Sequence, residues 1–243
     1  MNTDHPIICL NNISFSYPGA DAPVLDQLDF DFYAGERTGL VAPNGSGKTT
    51  LFQIVMGLLK PDSGHIKIFG KTVSEEKDFV AVRPRIGLLF QDADDQLFSP
   101  TVLEDVAFGP LNLGKSKQEA VAISRRMLSS LGLEGFEDRI TLKLSGGEKR
   151  LVALAAVLAM QPEVLLLDEP SAGLDEKTKE HLVGILKNLD ISYIIVSHEF
   201  DFLAGLAESI YTLQNGKIVL DTELHLHEHV HAHTYGRQPH KHD

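Results

Sequence analysis

Residues 42–50 read Ala-Pro-Asn-Gly-Ser-Gly-Lys-Thr-Thr, and their chemistry is that of a phosphate cradle. Gly45 and Gly47 let consecutive backbone N–H groups turn inward around an anion. A helix beginning at Lys48 would aim its N-terminus at the same charge. Lys48 can reach the outer phosphates of a nucleotide and Thr49 can ligate Mg²⁺, with Asn44, Ser46 and Thr50 completing the stretch. Gly47, Lys48 and Thr49 satisfy the P-loop pattern G-x-x-x-x-G-K-[ST]. Ala42 stands where its first glycine would be, which leaves the backbone angle at the loop entry open, because alanine takes positive φ only at a cost. A second group of chemical interest is Asp168-Glu169-Pro170, placed after the apolar run 164–167. A buried strand there would deliver Asp168 to the C-terminal edge of a sheet, where ligands of α/β folds bind. Asp168 can then hold the Mg²⁺ shell, while Glu169 points elsewhere and can orient or deprotonate a water.

These groups need strands that end on them and helices that start on them, and the patterning supplies both. Strands are expected at 7–17, 28–33, 37–42, 66–69 and 86–90, with a helix over 48–58 that stops before Pro61. From Thr101 to Met160 the pattern turns helical, punctuated by Pro110 and the segment 132–141. Strand and helix then alternate: strand 164–167, helix 177–189, strand 193–196, helix 200–207, and two short strands at 210–213 and 217–220. Such alternation argues for a mainly parallel sheet covered by helices. The expected organisation is a domain over 1–220, with a helical subdomain inserted at about 100–160, and a tail over 221–243. No internal repeat is visible.

Composition narrows the function classes. The 243 residues carry 43% apolar side chains and a formal net charge of −12. A free-standing nucleic-acid binder normally presents a basic face, so no nucleic-acid partner is expected. Cys9 is the only cysteine, which excludes an internal disulfide and suits a reducing compartment. It is read as a small core residue. The longest apolar run, 151–160, is half of the roughly 20 residues that a spanning helix needs. No basic region followed by an apolar stretch marks a secretory signal. The expectation is a cytosolic chain whose membrane role, if any, comes through a partner.

Leu144-Ser145-Gly146-Gly147-Glu148, followed by Lys149-Arg150, resembles the signature of the ABC ATPase family. With a P-loop before it and the Asp168–Glu169 strand after it, the chain is identified as a member of that family over roughly residues 7–220. The resemblance implies a P-loop NTPase α/β core with an inserted α-helical subdomain and an antiparallel β-subdomain, ATP and Mg²⁺ as ligands, and ATP hydrolysis as the activity. It implies that Ser145, Gly146 and Gly147 close on the ATP of a second subunit. It further implies that Tyr17 stacks on adenine, that Gln91 senses Mg²⁺ and the attacking water, that 171–175 is a dimer-contact loop, and that His198 contacts the γ-phosphate. The implied catalytic set is Glu169, His198, Gln91 and Lys48, and the implied Mg²⁺ ligands are Thr49, Gln91 and Asp168.

The run 91–98, Thr101-Val102 and 105–110 resemble the energy-coupling-factor branch of the family, as does Gly146-Gly147-Glu148-Lys149-Arg150. That branch implies a homodimer, with a sister ATPase as the alternative pairing. It implies a transmembrane coupling subunit and a substrate-binding membrane subunit, at the cytoplasmic face of the cell membrane. The segment 91–110 is expected to receive a coupling helix, using Asp92, Asp94, Asp95, Glu104 and Asp105 beside Leu97, Phe98 and Phe108. In the tail, His225, His227, His229, His231 and His233 alternate with other residues, with Glu228 among them and His240 and His242 following. An extended chain would put all five imidazoles on one face as candidate ligands for nickel or cobalt. The expected cargo is therefore nickel, with cobalt second and a vitamin as the alternative. A non-transport ABC ATPase would normally carry a coiled-coil insertion or a second cassette, and a metal-storage protein would not need the full ATP motif set.

Overall fold

The computed structural model describes residues 5–220, which contain two sheets. The first is antiparallel. It places β2 (Leu25–Phe32) beside β1 (Ile8–Phe15), then β4 (Ser63–Ile68), then β5 (Lys71–Val73). The second runs β10 (Lys217–Leu220), β9 (Ser209–Gln214), β3 (Arg37–Val41), β8 (Ser192–Ser197), β7 (Val164–Asp168) and β6 (Ile86–Leu89). Its neighbours are parallel except for the β9–β10 hairpin, which turns at Asn215–Gly216.

The central strands β7 and β8 are buried at every position, which is why both read as continuous apolar runs. Their side chains alternate between two cores. Val164, Leu166, Ile194 and Val196 join a cluster with α1 (Lys48–Val55) and the inner face of the antiparallel sheet. Leu165, Leu167, Tyr193 and Ile195 join a second cluster with α5 (Gly146–Leu158) and α6 (Glu176–Asn188). The C-terminal ends of β3, β7 and β8 thus lie side by side, with Val41 opposite Ser197 and Asp168 opposite Val196.

The helical segment between the strands consists of α3 (Val102–Asn112), α4 (Lys117–Ser130) and α5, with α3 packed on both others. Each starts with a capping box: Thr101 with Glu104, Ser116 with Glu119, and Ser145 with Glu148. Each box satisfies orphan N–H groups reciprocally and fixes where its helix begins.

Several element boundaries differ from the sequence pattern. Strand β2 starts at Leu25 rather than 28, because Gln27 takes φ 49° and the register with β1 shifts there, which hides the alternation. Helix α1 ends at Val55, with Gly57 at φ 66° just beyond, so a left-handed glycine rather than Pro61 stops it. Helix α5 starts at its two glycines, residues a helical pattern does not favour, with Ser145 as its cap. Pro110 lies inside α3 instead of interrupting it, in the last turn, where the helix has only two residues left to lose. Strand β5 and α2 (Glu76–Val82) were not expected. Only Phe79 and Val82 of α2 are buried, too few to mark a helical period.

Gly87, where β6 packs on α5, and Gly184, exposed on α6, carry opposite expectations. A Cβ on Gly87 in β6 would stand 2.4 Å from Val157 Cγ1 and 2.8 Å from Leu165 Cδ2, whereas one on Gly184 in α6 would meet nothing within 4 Å. Gly87→Ala is expected to destabilise the fold by about 1–3 kcal/mol, and Gly184→Ala to stabilise it by about 0.5–1 kcal/mol. Urea unfolding midpoints at constant slope check both. A Gly87→Ala variant at least as stable as the parent would contradict the packing of β6 on α5.

Candidate functional site

The loop between β3 and α1 turns through two left-handed glycines. Gly45 and Gly47 take φ 81° and 98°, and a Cβ on Gly47 would lie 2.7 Å from Val24 Cγ1, so glycine is required there for both backbone and space. Ala42 is not among the described residues with positive φ, so the missing first glycine imposes no strain. Its carbonyl instead accepts from Lys48 Nζ at 3.2 Å.

Lys48 also donates to Asn44 Oδ1 at 3.3 Å and to Glu169 Oε1 at 2.5 Å. Glu169 holds His198 Nδ1 at 2.9 Å on its other oxygen. Three of the four predicted catalytic side chains therefore form one connected cluster at the strand ends. Glu169 reaches both partners because its backbone turns left-handed directly after β7, with φ 47° and its N–H on the Val196 carbonyl at 2.9 Å. The carboxylate expected to handle water is thus engaged by Lys48 and His198 in this arrangement.

One residue earlier, Asp168 Oδ2 accepts from the Thr49 hydroxyl at 2.6 Å. Asp168 Oδ1 and Ser46 Oγ are buried with no hydrogen-bond partner among the described residues. An orphaned carboxylate oxygen beside a threonine hydroxyl is a hard-oxygen donor pair of the kind Mg²⁺ takes. Burial pushes the Asp168 carboxyl above its ordinary range, against the pull of the Thr49 hydroxyl and the Lys48 ammonium.

Tyr17 lies beside the same loop, its hydroxyl 3.0 Å from Thr50 Oγ1 and its ring in a T-shaped pair with Phe15, and the residue is partly exposed. Gln91 lines an open cleft of about 760 Å³ with Thr49, Asp92, Arg150, Ala172 and Gly173. The loop 171–175 is fixed by Ser171, which donates to Glu199 at 3.0 Å, and by Asp175, which caps α6.

Ser145, Gly146 and Gly147 sit apart from this cluster. Ser145 donates its N–H and its hydroxyl to Glu148 at 2.8 and 2.9 Å, while Gly147 packs against Thr178. Helix α5 rests on α3, α4 and β6, whereas α1 rests on β7. Among the described residues no hydrogen bond or ion pair joins Ser145–Gly147 to the P-loop.

The segment 91–110 is less acidic toward solvent than its composition suggests. Asp105 is buried and accepts from Phe98 N–H, Ser99 N–H and the Thr141 hydroxyl, so it braces the loop instead of facing a partner. Asp94 is paired with Lys149 at 2.5 Å, Glu104 serves its capping box, and Leu97 is buried. Phe98 and Phe108 remain exposed, packed edge to face at 4.7 Å. Arg150 was not singled out from the sequence. It is buried at the edge of the cleft and donates to the carbonyls of Phe90 and Gln91 at 2.7 and 2.5 Å. An arginine whose partners are main-chain atoms sixty residues away leaves no mark in the sequence pattern. His225, His227, His229, His231 and His233 lie outside the described residues.

The sequence model of the ABC transporter family matches residues 25–172. A putative ABC transporter ATP-binding protein of Nitratidesulfovibrio vulgaris is 50% identical over 214 residues, covering 88% of this chain and 78% of its own. An energy-coupling factor transporter ATP-binding protein of Methanothermobacter thermautotrophicus is 42% identical over 219 residues, covering 88% and 70%. Among solved structures, cbiO1 of Clostridium perfringens, described as part of the ABC transporter complex cbiONQ, superposes with a TM-score of 0.79. It shares 35% identity and covers 89% of this chain and 88% of its own.

The raised Asp168 carboxyl makes a signed prediction. A carboxyl whose folded pKa lies above its unfolded value binds protons more tightly in the fold. Its charge therefore costs stability at neutral pH, and the cost fades as pH falls through the folded pKa. Asp168→Asn keeps an acceptor for Thr49 and removes the buried charge. It should raise the melting temperature at pH 7–8 and lose that advantage in acid. A melting temperature lowered at neutral pH would contradict the electrostatic account.

Proposed function

The chain belongs to the ABC transporter family, as an ATP-hydrolysing subunit of the energy-coupling-factor type, and from that premise we propose that it powers import of a transition-metal ion, nickel first and cobalt second. The observation that carries the catalytic part is the Lys48–Glu169–His198 cluster standing one residue from the Thr49–Asp168 pair.

In this reading ATP enters with adenine on Tyr17 and its phosphates over 44–50. Lys48 leaves Glu169 for the β- and γ-phosphates, a stronger anion. Glu169 is then free to take the proton of an attacking water, and His198, already beside it, turns to the γ-phosphate. Thr49 and Asp168, with Gln91 from across the cleft, would hold Mg²⁺, whose chemistry there is to neutralise phosphate charge. The separation of Ser145–Gly147 from the P-loop favours a homodimer in which each signature closes on the partner's ATP. Among the described residues no helix is long and apolar enough to cross a membrane. The proposed place is the cytoplasmic face of the cell membrane, beneath a transmembrane coupling subunit and a substrate-binding membrane subunit. The exposed Phe98–Phe108 pair is the proposed anchor for the coupling subunit.

The metal assignment rests on the tail. Five histidines alternate between His225 and His233, neutral imidazole suits nickel, and with no thiolate nearby the softer metals are not selected. Affinity order alone would admit copper and zinc, so discrimination belongs to the membrane subunits.

Two measurements test these assignments. Glu169→Gln should still bind ATP while hydrolysis falls by about 10²–10⁴-fold; near-normal turnover would remove Glu169 from the role. Deleting residues 225–243 should abolish most nickel binding in calorimetry and leave ATP hydrolysis nearly unchanged. Equal nickel binding with and without the tail would defeat the tail as the metal site, and a vitamin found in the native complex would defeat the nickel assignment.

A further inference from the structure

Strand β1 leads to Tyr17 through an irregular stretch. Its ladder slips against β2 between Leu10 and Ile13 and again between Ile13 and Phe15, and against β4 between Asn11 and Ser14. Asn12 and Gln27 are left-handed at φ 54° and 49°, and Gly64 at 98°, where a Cβ would lie 2.4 Å from the Asn12 carbonyl oxygen. Irregular ladders of this kind re-aim a strand next to a site. Three side chains pin the stretch by accepting main-chain N–H groups. Asp29 takes that of Asn12 at 2.7 Å, Ser14 that of Gln27 at 3.0 Å, and Asp62 that of Ser16 at 2.8 Å. Of the three, Asp62 acts nearest to Tyr17. Strand β4 pairs with β1 only as far as Ser63 opposite Ser14, and Pro61 just before it has no N–H to give. Asp62 extends the contact with both its main chain and its side chain. Its N–H goes to the Ser14 carbonyl at 2.8 Å, and its carboxylate takes the Ser16 N–H. On the other edge Val24 donates to the Phe15 carbonyl at 2.8 Å, and Gly47 of the phosphate loop packs closely on Val24.

We propose that Asp62 is a positioning residue for the nucleotide base: by holding the main chain of Ser16 it sets where the Tyr17 ring stands beside the P-loop before a nucleotide arrives. The ring is then held from three directions. Asp62 fixes the residue before it, Phe15 makes the T-shaped pair at 5.0 Å, and Thr50 meets its hydroxyl. A platform ordered in advance spares the binding step the entropy of ordering it. An ionised acceptor makes the stronger bond to a backbone N–H, so a carboxylate holds Ser16 more firmly than an amide would. In this role Asp62 acts only through Tyr17, and binding of the phosphates gains nothing from it. This inference rests on the assignment of adenine to Tyr17.

Calorimetry on the full chain with ATP and with inorganic triphosphate, both without Mg²⁺ so that nothing is hydrolysed, separates base from phosphate. Asp62→Ala should weaken ATP binding by about 3–10-fold, part of what stacking on an aromatic ring supplies. Triphosphate affinity should stay within about twofold, the scatter expected of independent sites. Asp62→Asn, which keeps an acceptor without the charge, should recover part of the loss. In a Tyr17→Ala background Asp62→Ala should cost less than about twofold more. The proposal is overturned if Asp62→Ala keeps its ATP affinity, if triphosphate binding falls in step, or if the loss is the same in both backgrounds. Should Asp62→Ala fail to fold, Asp62→Glu, which moves the carboxylate by one methylene, is read by the same criteria. Unchanged ATP affinity in Tyr17→Ala alone would sink the adenine assignment and this link together, whereas a weakened Tyr17→Ala with additive losses sinks only the link.

Discussion

The Lys48 ammonium and the Glu169 carboxylate meet at 2.5 Å with side-chain exposures of 7% and 2%. Stripping either partner from such a pair leaves a charge in the interior, a loss of about 3–5 kcal/mol. The pair therefore constrains everything around it. The P-loop must lie over the end of β7, β3 must run parallel to β8, and β8 to β7, so that both strands finish at one level. Glu169 must also turn left-handed at once, which costs a non-glycine residue on the order of 1–3 kcal/mol. Its N–H bond to Val196 and the Lys48 and His198 contacts on its carboxylate hold that turn in place. Strain of this kind persists only where the surroundings over-determine it, and here they do.

The same small volume contains Asp168, pushed toward its neutral form by burial, and Arg150, pushed the same way from the opposite sign. A fold selected only for stability would not gather an orphaned carboxylate oxygen, a guanidinium without a carboxylate and a buried serine hydroxyl without a partner at one sheet edge. A hard cation and a phosphate would complete the carboxylate oxygen and the serine hydroxyl, whereas the guanidinium already has the Phe90 and Gln91 carbonyls. The unsatisfied groups are thus the complement of a ligand rather than defects of packing.

Much of this was legible in the sequence because it follows from what strands and helix starts do. Asp168, Glu169 and His198 stand at the ends of apolar runs that could only be buried strands, and Lys48 and Thr49 at a helix start announced by two glycines. Fold class followed from the alternation of such runs. What stayed hidden depends on contacts that periodicity cannot carry. Asp105 looked like a surface acid among others, yet it braces a loop through two N–H groups and a hydroxyl 36 residues away. Arg150 looked like half of a basic pair. Ala42 looked like a departure with a conformational cost, yet its backbone stays in the ordinary region and it offers only a carbonyl. Arg150 is decided by the main chain of a distant segment, Asp105 by a nearby loop and the Thr141 hydroxyl, and Ala42 by its own backbone angle, none of which periodicity records.

The alternation of β7 between two cores bears on how the molecule comes apart. Val164 and Leu166 belong to the side shared with the antiparallel sheet, Leu165 and Leu167 to the side shared with α5 and α6. Loosening the helices would bare two leucines of the strand that carries Asp168, and stripping the antiparallel sheet would bare its other two apolar positions. Neither layer can melt without undermining the floor of the other. The local unfolding of the helical segment is bound to that of the core, so the amides of β7 should exchange with solvent only in the rarest and largest openings of the chain.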